Sequence, residues 1–349
     1  MAGAIDQAIA AVRASGGTVL DLSGLRSREL CESVRDLTTL TRLDLSSNQL
    51  ATLPDWIGEL TALTQLDLRG NTLTELPDSM ANLTRLRFLE LSHNRLTALP
   101  GWIGELTALT QLDLRGNTLT ELPDPMANLT RLRFLDLSHN RLTALPDWIG
   151  KLTALTQLDL RGNTLTELPD PMANLTRLRF LDLSHNRLTA LPGWVGELTA
   201  LTELRLIHNR LTSLPDSIGN LRSLTILDAA RNKLTALPDS IGELTELTEL
   251  DLWSCDLQEL PDSIGKLTAL TELDVANNHL TRLPDAIGNL TSLRKLSAYR
   301  NKLRRLPDSI GSLTSLTHLY LSLNELTELP ESIAGRTGLD VGGNAISGY

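Results

Sequence analysis

Aromatic side chains are scarce: 3 Phe, 3 Tyr and 5 Trp make up 3% of 349 residues, so any core is built from aliphatic groups. Cysteine is scarcer still. Cys31 and Cys255 lie far apart in the chain, whereas an extracellular repeat chain usually pairs cysteines in its caps. A reducing, cytoplasmic location is therefore expected, with a secreted effector as the alternative. No run of 18 apolar residues occurs, so no membrane span and no membrane partner are expected. The opening MAGAIDQAIAAVRASGG carries Asp6 inside its apolar stretch and does not read as a signal peptide. A basic balance is missing too. The net charge of −10 argues against nucleic acid as a partner. No Cys–His pair, HExxH, GxxxxGK or GxSxG is present. His93, His139 and His185 are spaced too widely to share a metal, about 10 Å apart by strand counting. Neither an enzyme nor a cofactor is expected.

What the chain does have is a period. The stretch LTALTQLDLRGNTLTELPDPMANLTRLRFLDLSHNRLTALPDWIGK occurs in three near-identical copies, starting at Leu60, Leu106 and Leu152. Each copy is two related units of 23 residues. One asparagine marks each unit: Asn48, Asn71, Asn94, Asn117, Asn140, Asn163, Asn186, Asn209, Asn232, Asn278, Asn301 and Asn324, with Cys255 in the one gap. A fixed period of this length is the mark of a repeat architecture. Four Asn-Leu-Thr sequons, at Asn82, Asn128, Asn174 and Asn289, read as by-products of the repeat.

Within a unit, Leu66 and Leu68 alternate as a strand requires, so Gln65, Asp67 and Arg69 face the other way. The later leucines are spaced unevenly, as a turn and a short helical segment would place them. Pro77 suits the start of that segment. Each unit then runs strand, turn and return, and successive strands are parallel. One unit buries too little to offset the entropy of ordering it, so units must stack. The asparagine has two donors and an acceptor with two lone pairs. Turned inward at the turn, it can serve backbone groups that the sheet leaves over. The Cys255 thiol is a weaker substitute, and a buried thiol is not expected to be reactive.

The pattern LxxLxLxxNxLxxLPxxIxxL resembles the leucine-rich repeat family in its 23-residue form. It is similar to intracellular Ras-group proteins and to the repeat regions of bacterial Roco proteins. The resemblance covers roughly residues 18–345. It implies an α/β fold: a right-handed solenoid, or horseshoe, with a parallel β-sheet on the concave face and short helical or 3-10 segments on the convex side. It implies protein binding without catalysis, and a small GTPase among the partner classes. Three regions are expected: an N-terminal helical cap and first strand at 1–40, the array at 41–327, and a degenerate terminal repeat at 328–349. A helix is expected near 27–37. Asn344 follows Asn324 by less than a full period. A weak or frayed last strand is expected, on a monomer rather than an edge-paired dimer.

If the strands stack, outward side chains form columns about 4.8 Å per step. The middle column opens with seven consecutive acids, Asp44, Asp67, Glu90, Asp113, Asp136, Asp159 and Asp182. These read as solvated template residues or as a rail for a basic protein. The three phenylalanines, Phe88, Phe134 and Phe180, share another column. Near-identical blocks supply span rather than a shaped site, so specificity is expected where the template breaks. There Ile207, Trp253 and Tyr299 form the outermost column, with small alanines between, giving an aromatic-walled notch. His318 and Tyr320 lie alongside, Lys295 and Arg300 make this the strongly basic repeat, and Asp251 and Asp274 continue the acid column. These nine residues are the expected protein-binding site, since aromatics with Arg are the composition of hot spots. Two further readings stand beside it: the recognition part of a secreted effector or larger signalling protein, and a generic or engineered scaffold.

Overall fold

The leucines of one unit find cover only against the next, and this fixes the architecture. The computed structural model describes residues 2–346. The chain divides into two compact units, Met1–Leu165 and Thr166–Tyr349. In the first, helix α1 (Ala2–Ser15) precedes β1 (Val19–Asp21), β2 (Arg42–Asp44), β3 (Gln65–Asp67), β4 (Phe88–Glu90), β5 (Gln111–Asp113), β6 (Phe134–Asp136) and β7 (Gln157–Asp159). Each strand pairs in parallel with the next. The second unit holds β8 (Phe180–Asp182), β9 (Glu203–Arg205), β10 (Ile226–Asp228), β11 (Glu249–Asp251), β12 (Glu272–Asp274), β13 (Lys295–Ser297), β14 (His318–Tyr320) and β15 (Leu339–Asp340). These too pair in parallel, in chain order.

The register keeps the period. Leu43 faces Leu66, and Leu66 faces Leu89. Leu63, Leu66, Leu68, Leu73, Met80 and Leu83 are fully buried, so the apolar positions read from one unit do form a core column. The return is a single turn of 3-10 helix, Asp78–Asn82 in this unit. Pro77 caps it in extended conformation, and its carbonyl accepts from the Met80 N–H at 3.1 Å. Glycine recurs in these turns because the next unit comes so close. A Cβ on Gly219 would lie 2.6 Å from the Ser240 carbonyl oxygen.

The asparagines form the expected ladder. Asn140 is typical: its amide donates to the carbonyls of Leu114 and Leu137, both at 3.0 Å, and its Oδ1 accepts from the Leu119 N–H at 3.0 Å. One side chain therefore joins two units. At the gap, Cys255 Sγ makes one long contact, 3.4 Å to the Ala229 carbonyl. Burial pushes its thiol up to about 11, which keeps it protonated and unreactive.

The ends differ from the expectation. Of the helix expected at 27–37, only the 3-10 turn Glu32–Val34 forms. The Ser27 N–H is held by Asn48 Oδ1 at 2.9 Å, and its carbonyl accepts from the Gln49 N–H at 2.8 Å. Ser27 is thus tied to the ladder and cannot start a helix. α1 buries Ile9 and anchors through Arg13, which pairs with Asp36 at 2.9 Å. At the other end the short last unit keeps its strand, β15, and its asparagine. Asn344 donates to Leu321 O at 2.9 Å and accepts from the Leu326 N–H at 3.1 Å. The shortened period costs strand length, two residues instead of three, rather than the strand itself.

Candidate functional site

In each unit the strands present an open face, which carries three side-chain columns. The middle one is not the solvated row of acids expected from the sequence. Asp44, Asp136 and Asp182 are buried, Asp182 to 3% exposure, although all three face outward from the sheet. The reason is local. Each aspartate turns one carboxylate oxygen back onto the backbone N–H two residues on, closing the strand exit: Asp113 on Arg115 at 2.9 Å, Asp136 on Ser138 at 2.8 Å, Asp251 on Trp253 at 2.8 Å. This is the Asx turn that aspartate favours. The carboxylates therefore serve the template first.

Several groups of this row shift upward, chiefly through burial. Burial, then the Asp113 charge beside it, pushes Glu90 up to about 7. Burial, then Asp251, pushes Asp228 up to about 6. Burial likewise raises Asp67, Asp136, Asp251 and Asp274. The arginines relieve part of this: Arg69 reaches Asp67 at 3.1 Å.

The expected site residues all lie in the second unit. Asp251 faces Asp274 across β11 and β12, and Lys295 faces His318 across β13 and β14. Lys295 pairs with Glu272 at 3.3 Å. Together with Asp228, Asp251, Asp274 and Glu249 these line a groove of about 120 Å³. His318 and Tyr320 share a face two residues apart on β14, their rings stacked at 6.0 Å. A larger hollow of about 900 Å³ lies elsewhere, among Leu-Pro-Asp segments such as Leu306, Pro307 and Asp308. Those walls recur in unit after unit, so the hollow carries no chemistry of its own.

The outermost column forms as expected, just beyond the strand ends. Backbone bonds from Arg231 to Trp253 and from Asn277 to Tyr299 place them in successive rows, and Trp253 and Tyr299 are half-buried. Two details alter the notch. Ala276, its floor, is 0% exposed, so the floor is closed to water. In addition, the Arg231 guanidinium lies over the Trp253 ring at 4.7 Å. One aromatic wall is already occupied by a cation. Ile207 stands two rows before Trp253. Arg300 departs from the group: it sits in the turn after the strand, at φ +55°, rather than on the sheet face.

Sequence reasoning missed that turn column. One residue per unit, just before the asparagine, adopts φ near +55°, including His93, His139, His185, His208, Arg231 and Arg300. Histidine, asparagine and glycine tolerate this conformation, which accounts for four of the six histidines. His185 and His208 are one unit apart, and their rings stack at 5.0 Å. Arg231 was legible as their neighbour, but its reach over Trp253 was not. Among the described residues, no group of three or more metal-ligating side chains comes together, and no helix is long and apolar enough to cross a membrane.

Known proteins place this arrangement. A model of a leucine-rich repeat region matches residues 79–161, 124–228 and 216–302, and further leucine-rich repeat models match 18–73, 38–96 and 315–335. No curated protein sequence matches the chain. Among solved structures, a leucine-rich repeat protein of Leptospira interrogans is 34% identical, over 94% of this chain and 91% of its own, with a TM-score of 0.87. The plant peptide hormone receptor RGFR1, solved in complex with RGF2, is 33% identical over 91% of this chain, at a TM-score of 0.82. This chain spans about half of that receptor, 53%. YopM, a leucine-rich effector protein from Yersinia pestis, is 27% identical over 97% of this chain and 92% of its own, at 0.74. With the period, the parallel strands, the asparagine ladder and these matches in agreement, the chain belongs to the leucine-rich repeat family.

Proposed function

We propose that the chain is a protein-binding scaffold, and that it engages a protein partner on the open sheet face of its second unit, centred on Trp253, Tyr299 and Tyr320. One observation carries this reading. The half-buried Trp253, Tyr299 and Tyr320 stand beyond the near-identical blocks, on rows four to seven of that sheet, beside Lys295 and His318. Half-buried aromatics beside cations are the composition of binding hot spots. The positions of the first unit equivalent to Trp253 and Tyr299 include Arg69, Ser92, Arg115 and Ser138, and those equivalent to Tyr320 include Asp67, Glu90, Asp113 and Asp136, none of them aromatic. The similarity to a plant peptide hormone receptor solved in complex with RGF2 supports a binding role.

A basic surface on the partner fits the exposed carboxylates Glu249 and Glu272 beside the anchors. The small GTPase rests on family resemblance alone. Asp251 and Asp274 act by holding the backbone that carries Trp253 and Ala276 in place. The scaffold works in the cytoplasm as a monomer on this reading. The test is quantitative capture. The immobilised chain is compared with a Trp253→Ala/Tyr299→Ala variant, and the captured partner is then titrated by calorimetry. Trp253→Ala alone is expected to weaken binding by more than about 2 kcal/mol, and Phe88→Ala by less. Equal losses at both positions would contradict the placement.

A further inference from the structure

The turn edge of the second unit carries a charge pattern that the open sheet face does not explain. In three successive units the two outward positions flanking the asparagine are His185 and Arg187, His208 and Arg210, and Arg231 and Lys233. All six are exposed. No acid interrupts them, since the next outward residues are Thr189, Thr212 and Thr235. The two columns are real neighbours in space. In the first, His185 stacks on His208, and further along Asn277 donates to Ser254 Oγ at 2.9 Å. In the second, His279 approaches Asp256 at 3.8 Å.

Four of the six carry a fixed positive charge: Arg187, Arg210, Arg231 and Lys233. Some basic groups of the second unit are matched across repeats, as in Lys266 with Glu243 at 3.0 Å, Lys295 with Glu272 at 3.3 Å and Arg304 with Glu325 at 3.1 Å. Among the described residues no such pair within 4.0 Å involves Arg187, Arg210, Arg231 or Lys233. The run ends at Ser254 and Asp256. A block of like charge repels itself, and in a chain of net charge −10 it stands against the overall field.

We infer that this edge is a docking surface for an acidic segment of a protein partner. The dimensions favour that occupant. Three rows at about 4.8 Å span about 10 Å, the length of three extended residues at about 3.3 Å each. Guanidinium forks match carboxylates in two-point contacts. A duplex or a membrane surface needs a broader basic area than three rows supply. Arg231, shared between this edge and the Trp253 ring, marks where such a segment would pass from the edge towards the aromatic anchors. The edge and the anchors are separate surfaces, so either assignment can fail alone.

The test uses the full chain and a labelled octapeptide of alternating Glu and Asp, followed by fluorescence anisotropy at low and high salt. Binding is expected at low salt and should fade as salt rises. Arg187→Glu/Arg210→Glu should weaken it on the order of tenfold or more. Arg187→Gln/Arg210→Gln, which adds no repulsion, should weaken it less. Arg95→Gln, at the corresponding turn position of the first unit, should leave it unchanged. Peptide binding that is absent at low salt, or equal in the Glu variant and the parent, overturns the assignment. So does tighter binding to phosphatidylserine vesicles or to a single-stranded oligonucleotide than to the peptide.

Discussion

Asn140 shows how much of this protein rests on single side chains. It satisfies the Leu114 and Leu137 carbonyls and the Leu119 N–H, all buried and all otherwise without a sheet partner. The two carbonyls each keep a second donor, Asn117 and Asn163, so Asn140→Ala orphans the Leu119 N–H and should lower stability by about 2 kcal/mol in urea unfolding. Cys255 offers the converse. Its thiol donates to one carbonyl, Ala229 O at 3.4 Å, where the amide of Asn140 donates to several, and Cys255→Asn should raise stability by about 1 kcal/mol. A neutral or destabilising result would mean that the backbone around Cys255 has adapted to the thiol. The ladder was legible in the sequence because the spacing and the inventory of amide donors dictate it. The aspartates were not. Alternation fixes that Asp136 faces outward, yet only the side-chain conformation shows its carboxylate folded back onto Ser138. The Arg231–Trp253 stack was hidden for the same reason, since it joins residues from different columns.

Strands and turns were legible to within a residue or two. Leu66 and Leu68 mark the strand, Pro77 the start of the 3-10 turn, and the parallel order follows from the return. The expected helix near residue 30 failed because Ser27 already bonds to Asn48 and Gln49, a long-range tie that local propensity cannot register. At this scale the middle column makes a prediction about pH. Glu90 and Asp228 have carboxyl groups pushed up to about 7 and about 6, chiefly by burial. A carboxyl raised in the folded state takes up a proton on folding. Its contribution is present at low pH and lost as pH rises through the folded value. Stability in urea should therefore fall between about pH 5 and pH 8. Glu90→Gln and Asp228→Asn should flatten the fall and raise stability at the upper end. Stability that instead rises with pH across that window would mean the row is better solvated than described.

For the whole molecule, repetition and its interruption divide the work. The near-identical blocks supply strands in constant register, as Asp113 beside Asp136 beside Asp159 shows. Identical units cannot by themselves select a partner. Selection requires departures from the template, and on the proposed reading these are Trp253, Tyr299 and Tyr320 on the sheet face and the unbroken succession of basic residues at the turn edge. The approximate place of the first group could be read from the sequence, because departures from a template stand out. The second could not, because each of its residues sits in a column that looks like tolerated turn variation until the columns are laid side by side. Hydrogen–deuterium exchange on the chain with its captured partner tests the placement most directly. Protection should rise over 249–253, 295–299 and 318–320 and stay unchanged over β3 to β7. Protection confined to β3 to β7, or to the 3-10 turns, would contradict it.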